Sequence, residues 1–386
     1  MLLTIIIFIL VLSVLVAVHE LGHFFTARYF GVRAEEFGFG FPPRAVGWYK
    51  NRAGRWRRVV GDRDMESLEA SADESLHPAR HATIWSLNWL PIGGFVKIKG
   101  EDGGGKDQGD SFAAKKIWQR VIILSAGVIM NILLAWFLFS VGYLIGLPQS
   151  TETLGRQAIV SEAAVVVAQV MPNSIAAQAG LQDGDIILRI NDVRVGTEQA
   201  LQDAVAASAG QESILTIQRA GGEEAIKVVP QAKNGGRATI GIAIFASGLV
   251  RYPFFFAFWE GAKTTGSVLW QIIASLANLL QEVFRGQNVS GEFAGPVGIA
   301  TITGQAARLG FTYLLQFMAL LSLNLAVVNI LPFPALDGGR IIFLLVEKAK
   351  GRPVRKEVET LIHNIGFFLL IALVLFVTFK DIVKLF

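Results

Sequence analysis

The first 23 residues constrain this chain more than any other stretch. Residues 1–18, MLLTIIIFILVLSVLVAV, form an almost uninterrupted apolar run of the length that crosses a bilayer. His19, Glu20 and His23 follow at once, so an H-E-x-x-H sequence extends the same predicted helix. Ionisable groups at membrane depth are costly and usually functional. The start of the chain therefore predicts a membrane helix that carries a site.

The spacing of these polar residues points to metal chemistry. Positions four apart share one helix face, so His19 and His23 can together hold a zinc ion, while Glu20 can act as general base for a metal-bound water. The alternative interpretation is a helix that leaves the membrane here, with interfacial polar residues. The run lacks the basic start and the small-residue cleavage site of a secretory signal, which predicts a retained transmembrane helix over 1–28.

Composition narrows the class and the possible ligands. With 52% hydrophobic and 17% charged residues, the chain is too apolar for an ordinary soluble protein. Its net charge of only +4 gives no indication of a nucleic-acid partner. There are no cysteines, so a metal must be bound by histidine or carboxylate side chains. The five histidines are His19, His23, His77, His81 and His363.

Hydropathy and turn signals divide the rest of the chain. The second apolar run has Asn131 near its middle, with Gly127 and Ala135 each four residues away. Small residues on one face predict close helix packing, and a role of Asn131 in positioning the site stays open. The predicted order is a transmembrane helix at 1–28, a segment at 29–120 with membrane-associated strands near 83–100, a transmembrane helix at 121–147, a small α/β domain at 160–245, an interfacial amphipathic helix with a GPVG loop at 251–310, and transmembrane helices at 311–340 and 361–379.

The resulting fold class is an α-helical polytopic membrane protein of about four transmembrane helices, with an inserted α/β domain and a membrane-associated β-hairpin region. The hairpin is predicted from TIWSLNWLPIGGFVKIKGED at 83–102, where apolar residues partly alternate and Gly93-Gly94 marks a turn. The edge of such a strand could pair with an unwound substrate backbone. An ordinary hairpin on the membrane surface is the equally weighted alternative.

A catalytic zinc usually has three protein ligands, so one more is needed. His77 and His81 are four apart, but Pro78 between them argues against a helix and favours a solvated loop. His363 is the other histidine near a predicted span. Asp337 is the better candidate, because it ends an apolar span where prolines break the helix.

Topology supports Asp337. If 251–285 is interfacial, the span at 311–336 runs in the same direction as the first, and Asp337 reaches the membrane face of His19 and His23. The short loop 340–356 has six Lys or Arg in 17 residues, whereas 148–310 has eleven in 163. The positive-inside rule then places the α/β domain outside the cytoplasm.

Taken together, these segments resemble the site-2 protease family of intramembrane zinc metalloproteases, of the bacterial regulator-of-sigma-E protease type. The matching pieces are HELGH at 19–23, PIGGFVKIKG at 91–100, Ala126-Gly127 to Asn131, FAGPVGIA at 293–300 and NILPFPALDG at 329–338. Residues 160–245 are similar to a bacterial PDZ domain through MPNSIAAQAGLQDGDIILRIN.

The resemblance implies one Zn²⁺ held by His19, His23 and Asp337, with Glu20 as catalytic base. It also implies that Asn329 helps to position the substrate carbonyl, and that the strand containing Gly93 and Gly94 guides the substrate. Expected substrates are single-span proteins already cut outside the membrane, such as anti-sigma factors, and remnant signal peptides. The expected location is the bacterial cytoplasmic (inner) membrane.

Two departures from the family pattern concern substrate selection: the chain has one PDZ domain rather than a tandem pair, and the stretch 52–82 looks like an insertion. The PDZ ligand is not predicted. Two other functions remain as alternatives: a membrane-anchored zinc protease that acts on soluble peptides, and a non-catalytic PDZ-bearing membrane scaffold.

Overall fold

A computed structural model describes residues 2–61, 63–150, 157–219, 222–232, 238–286 and 294–385. The chain forms two compact units, one of Met1–Trp136, Thr265–Gly304 and Met318–Phe386, the other of Phe137–Thr264 and Gln305–Phe317. The helices are α1 (Leu2–Tyr29), α2 (Met65–Glu69), α3 (Ile117–Ile145), α4 (Ile175–Gln178), α5 (Glu198–Ala207), α6 (Phe254–Phe284), α7 (Pro296–Leu309), α8 (Phe311–Ile330), α9 (Asp337–Lys350) and α10 (Lys356–Leu385). The strands are β1 (Ala34–Lys50), β2 (Trp56–Val59), β3 (Ile84–Ile98), β4 (Leu147–Ser150), β5 (Ile159–Val170), β6 (Ile186–Ile190), β7 (Val193–Arg194), β8 (Ser213–Arg219), β9 (Gly222–Val228), β10 (Gln231–Ala232), β11 (Ala238–Thr239) and β12 (Ile242–Arg251).

Five helices in the described residues are long and apolar enough to cross a membrane: α1, α3, α6, α8 and α10. Four of them correspond to the predicted transmembrane helices. The fifth, α6, covers the stretch predicted to be interfacial, and its length and composition also allow it to span. Its interfacial placement stays a prediction.

The third predicted span, 311–340, is wrong in one respect, because it is two helices rather than one. Helix α8 ends at Ile330, and α9 begins at Asp337. Pro332 and Pro334 lie between them; proline has no backbone N–H and cannot continue a helix, so the chain turns. Asp337 thereby occupies the first turn of a new helix, where the helix dipole favours a negative charge.

The first unit contains a sheet in the order β2-β1-β3. Phe37 of β1 is paired with both Val96 and Trp85 of β3. A strand has two edges, so the two ends of β3 must lie on opposite sides of this part of β1. Strand β3 therefore folds back on itself, and Gly93, with φ of +74°, lies at the bend. This agrees with the predicted turn at Gly93-Gly94.

The bend of β3 lies beside the middle of α1. Ser13 donates its hydroxyl to the Pro91 carbonyl at 3.4 Å, and Gly93 lies against Val16. Trp89 near the bend is 71% exposed. Because Ser13 and Val16 lie within the apolar run, the hairpin reaches membrane depth, and the exposed tryptophan has lipid rather than water as its natural surroundings.

The stretch after β2 is folded rather than a solvated loop. Asp64 caps α2, whose Met65 and Leu68 are buried. These two side chains form a small core with Tyr49, Val59, Ala82 and Ile84 of the sheet and its flanks. His77 contacts the Ser71 carbonyl at 2.8 Å, and His81 is exposed. Among the described residues, neither histidine belongs to a group of side chains that could hold a metal ion.

The second unit is built on a sheet in the order β4-β12-β5-β6-β8-β9, with β7 paired to β6. Alternating apolar residues of the strands, such as Leu215 and Ile217, pack with Leu201 of α5 into one core. Buried Asp185 accepts two hydrogen bonds from Arg219 at 2.6 and 2.7 Å. Strand β5, the short helix α4 and strand β6 follow one another along the chain, and α5 comes after β7. The expected fold class, a polytopic helical membrane protein with an inserted PDZ-like domain, is confirmed.

Candidate active site

Helix α1 runs without interruption from the apolar start through the predicted site and ends at Tyr29. His19 and His23 are both buried, each about 6% exposed. Burying two imidazoles is costly unless their nitrogens have partners, so the surroundings of each ring decide what the pair can do.

The third predicted ligand lies against both rings. Oδ2 of Asp337 is 3.1 Å from Nε2 of His19 and 3.4 Å from Nε2 of His23, and the two nitrogens are 3.2 Å apart. This is the one group of three potential metal-binding side chains found in the described residues. Asp337 is more than 300 residues from the histidines in sequence, and only the fold brings it there.

These three atoms fit a zinc ion. Ligands that bind zinc tetrahedrally at about 2.0–2.1 Å lie about 3.3 Å from one another. The observed separations of 3.1–3.4 Å match that triangle. Three ligands of this kind would leave the fourth position of a tetrahedron open, which is the arrangement of catalytic rather than structural zinc sites.

Each histidine is oriented through its other ring nitrogen. Nδ1 of His23 lies 2.8 Å from the Ile123 carbonyl of α3, to which it can donate a proton. Nδ1 of His19 lies 3.2 Å from the Asn131 carboxamide. The Asn131 atom at this distance is Nδ2; with the side-chain amide turned over, Oδ1 would accept the Nδ1 proton of His19. Both Nε2 atoms are then free to bind a metal.

Asn131 is itself held in place, since the Ser322 hydroxyl donates to the Asn131 backbone carbonyl at 2.7 Å. Asn131 is fully buried. From the sequence, Asn131 could serve either helix packing or the site. Its contacts show both: it joins α3 to α8 and touches a predicted ligand.

Gly127 lets α3 approach the two rings. A Cβ atom there would lie 2.5 Å from Nε2 of His23 and 2.6 Å from Cε1 of His19. Both distances are well below van der Waals contact, and both rings are fixed by partners on the other side. From the sequence, Gly127 is predicted only to allow close helix packing, because nothing in the sequence shows which helix it faces.

We expect Gly127→Ala to weaken zinc binding by about 10–100-fold, as when a partner that orients a ligand is lost. The added methyl group displaces one or both rings from the ligand triangle. Zinc content after titration with a competing chelator measures the effect. Gly266→Ala on α6 is the matched control, since its Cβ meets nothing within 4 Å. Equal zinc affinity of the two variants would contradict the placement of Gly127 against the site.

Glu20 faces the bent strand. Its Oε2 accepts a hydrogen bond from the Val96 N–H at 3.0 Å. Val96 lies in the second half of β3, which pairs with β1 along one edge. The Val96 N–H lies on the other edge of this half, so the free edge of the strand faces the site. One end of the sheet and the predicted general base are therefore adjacent.

The other predicted positioning residues divide into two groups. Nδ2 of Asn329 lies 3.4 Å from Nε2 of His19, so Asn329 is at the site. Gly93 and Gly94 lie in and after the bend of β3, where a Cβ on Gly94 would be 2.9 Å from the Gly38 carbonyl. Their role in guiding a substrate stays a prediction.

A strained loop places Asp337. Ala335 has φ of +75°, a left-handed conformation that costs a non-glycine residue about 1 kcal/mol or more. Its N–H donates to Nδ1 of His363 on α10 at 2.9 Å. His363, considered above as a ligand, thus holds the loop two residues before Asp337 instead of the metal position.

We expect His363→Leu to weaken zinc binding about tenfold, because the Ala335 N–H loses its acceptor and the loop relaxes. His363→Asn should retain most of the affinity, since its Oδ1 takes the position of Nδ1. His363→Gln should not, because its amide lies one bond further out. The same chelator titration distinguishes the three variants. Equal affinities of all three would contradict this role of His363.

Ion pairs hold the rest of α9. Arg340, one turn after Asp337, pairs with Glu101, and Glu347 pairs with Arg120 of α3. Lys356 donates to Asp102 at 2.8 Å, and this bond lowers the pKa of the Asp102 carboxyl. The loop after β3 is thereby joined to the first turn of the helix that carries the predicted third ligand and to the first residue of α10.

The chain matches a known protein family over most of its length. The sequence profile of peptidase family M50 matches residues 7–58 and 75–373. The chain is 30% identical over 440 residues to the regulator of sigma-W protease RasP of Bacillus subtilis, covering 99% of both chains. It is 30% identical over 435 residues to zinc metalloprotease RasP of Bacillus licheniformis, again covering 99% of both.

A smaller part is similar to a solved PDZ domain, that of the SdrC-like protein of Listeria monocytogenes. The identity is 23% and the TM-score 0.21, over 22% of this chain and 92% of that domain.

Two buried histidines and a carboxylate among apolar helices are the arrangement of a membrane metalloprotease. The chain belongs to peptidase family M50, the site-2 protease family, and is a zinc metalloprotease. The resemblance stated from its motifs is confirmed. The two matched ranges leave 59–74 unmatched, and this gap lies within the stretch 52–82 that looked like an insertion.

Three features of the site carry no sequence signal. The Val96 N–H and the Ile123 carbonyl are backbone groups that any residue provides. His363 was recognisable as a membrane-proximal histidine, but its partner is another backbone group. Such contacts depend on where the chain passes, and only the fold gives that.

Proposed function

We propose that the chain hydrolyses peptide bonds within the transmembrane segment of single-span proteins, after an earlier cut has removed their outer domain. The observation that carries the proposal is the free edge of β3 beside Glu20, at the depth of the buried His19, His23 and Asp337. A transmembrane substrate is helical, and its peptide groups are shielded by their own hydrogen bonds. A strand edge offers those groups new partners once the helix unwinds.

The residues divide the work as follows. His19, His23 and Asp337 would hold zinc, which when bound lowers the pKa of a water molecule and polarises the substrate carbonyl. Glu20 takes the proton of the attacking water and can pass it to the leaving amine. Asn329, whose Nδ2 lies 3.4 Å from Nε2 of His19, would donate an amide hydrogen to the oxygen that becomes negative.

The Val96 N–H marks the edge of β3 at which a substrate strand would pair. In the described structure it donates to Glu20, and the substrate strand must come to the same edge. Backbone groups of Gly94, two residues earlier, point the same way because strands alternate. An extended substrate paired here would lie alongside the base and the zinc ligands, without a side chain from Gly94 to obstruct it.

The contact between Asp337 and the two histidines supports the proposed membrane placement. Asp337 can meet the histidines only if α8 runs in the direction of α1, which agrees with an interfacial α6 or with α6 and α7 together making no net crossing. With the basic segment 340–356, most of which belongs to α9, in the cytoplasm, the PDZ-like domain would lie outside. There it would meet what remains of a substrate outside the membrane.

Purified protein in proteoliposomes tests the function on three substrates with the same membrane segment. One is a single-span protein with a trimmed outer domain, one keeps the full outer domain, and one is a soluble peptide of the cleavage region. We expect cleavage of the trimmed protein, slower cleavage of the intact one, and little of the peptide. Equal cleavage of all three would instead support the soluble-peptide protease, and no cleavage by protein that holds no zinc would support the scaffold.

A further inference from the structure

The hairpin between β1 and β2 carries an unusual concentration of positive charge. Residues 50–59, KNRAGRWRRV, contain five basic residues and no acidic one. Lys50, Arg52, Arg55 and Arg58 are exposed, and none of the four has an ion-pair partner in the parts of the chain that the structure describes. Trp56 beside them is 57% exposed. Uncompensated charge around an exposed tryptophan is typical of a binding surface.

Three acidic side chains of the segment that follows the hairpin are engaged elsewhere. Glu69 of α2 pairs with Arg33 at 2.6 Å, and Asp64 caps α2 and lies 3.8 Å from Lys97. Asp73 caps the following 3₁₀ turn and lies near Arg57, which is therefore left out of the surface. The surface, called here the basic hairpin, comprises Lys50, Arg52, Arg55, Trp56 and Arg58.

The register of the sheet fixes the depth of the basic hairpin. Trp48, Trp85, Phe37 and Val96 are paired side by side across the sheet. The Val96 N–H contacts Glu20, so this row lies level with Glu20 of α1. From the row, β3 leads inward to the bend beside Ser13. At Trp48, β1 runs antiparallel to the first half of β3, so from Trp48 to Lys50 it leads outward.

The outward distance brings the hairpin to the headgroup region. Lys50 lies two residues beyond the row, about 7 Å, and the turn at 51–55 adds about 5–7 Å. From Glu20 to the end of α1 at Tyr29 the helix rises about 14 Å. The turn of the hairpin and the end of the membrane helix are thus at similar depth, where lipid phosphates lie and where tryptophan is favoured.

The hairpin is also rigid. Asn51 donates to the Ser75 carbonyl at 2.8 Å and accepts from the Arg55 N–H at 2.9 Å. Tyr49 is fully buried and donates to the Leu76 carbonyl at 2.7 Å. The segment around 59–74, which the family profile does not match, packs directly beneath it. The side chains of the basic hairpin are therefore held out at a fixed height.

We propose that the basic hairpin binds the headgroups of anionic phospholipids in the leaflet where α1 ends. The occupant is lipid rather than an acidic protein, because the hairpin is fixed at the depth of the phosphates of the bilayer that contains the chain. Each basic residue near an anionic surface favours binding by about fivefold. Arginine guanidinium groups can bind two phosphate oxygens at once. The Lys50 ammonium lies 5.3 Å from the centre of the Trp56 ring, so the tryptophan and the charge would reach the headgroup boundary together.

The absence of cysteine in the chain allows a clean test. Ala53→Cys, at the exposed turn, is labelled with an environment-sensitive fluorophore in the full-length protein. The labelled protein is placed in nanodiscs of phosphatidylcholine alone or of phosphatidylcholine with phosphatidylglycerol. We expect blue-shifted emission and quenching by headgroup-labelled lipid that increase with phosphatidylglycerol and decrease with salt.

Charge variants identify the residues responsible. R52Q/R55Q/R58Q should abolish the response to phosphatidylglycerol, since three such contacts amount to about 100-fold. R189Q/R194Q/K227Q removes the same charge from exposed positions of the second unit and should leave the response unchanged. Emission that is independent of lipid charge, or a response equal in the two triple variants, would overturn the proposal. None of these substitutions touches the zinc ligands, so a failure of the proposed proteolysis would be seen separately.

Discussion

Glu20→Gln should bind zinc as well as the unchanged protein and lose about 10²–10⁴-fold in cleavage rate. The glutamine amide is nearly isosteric with the carboxylate and is not one of the three ligand atoms, so the metal position is unaffected. It cannot accept the proton of the attacking water. The measurement is single-turnover cleavage of a trimmed single-span substrate in proteoliposomes, together with zinc content by atomic emission.

The control for this substitution is Glu66→Gln on α2, an exposed residue outside the site. It should cleave at the unchanged rate. Near-normal cleavage by Glu20→Gln would remove Glu20 from its role as base. Loss of zinc from the same variant would show that Glu20 helps to hold the metal, which the distances among His19, His23 and Asp337 do not require.

Asp337→Ala should lose both zinc and activity. Without the carboxylate, the two imidazoles supply only two of the three ligands. The loss of zinc affinity should therefore exceed the 10–100-fold loss expected when a group that only orients a ligand is removed. The affinity is measured by chelator competition, and binding of cobalt gives an absorption band that reports the number and geometry of ligands. We expect the tetrahedral cobalt spectrum to disappear in the variant.

Asp107→Ala, an exposed change in the loop after β3, is the matched control and should retain zinc and activity. Size-exclusion behaviour in detergent shows whether either variant is misfolded. Unchanged zinc in a well-folded Asp337→Ala would place the third ligand elsewhere. It would also remove the reason for concluding that α8 crosses the membrane in the same direction as α1. Helix α6 would then be the better candidate for a membrane-spanning helix.

The two experiments separate binding from chemistry. Glu20→Gln is expected to hold metal without cleaving, and Asp337→Ala to do neither. If both lose zinc, the base and the ligands are not distinct groups. If both keep zinc and activity, the chain is a protease that works from another site, and the scaffold alternative fails as well.

The sequence by itself determined the parts of this protein that depend on local pattern. An apolar run of about 20 residues can only be buried in a membrane or a large core, and His19 and His23, four apart on that run, must share one helix face. Prolines at 332 and 334 end a helix because they have no N–H to donate. These constraints act within a few turns of chain, which is why they can be read without a fold.

Only the tertiary structure decided how distant segments meet. The path from Ile330 to Asp337 and the left-handed Ala335 depend on α10, which provides His363. The direction in which β3 bends, and therefore which edge faces Glu20, depends on pairing with β1. Whether Gly127 faces a lipid or two imidazoles depends on the rotation of α3. Each of these is a long-range contact made by backbone or by small side chains, and the local sequence gives no sign of the partner.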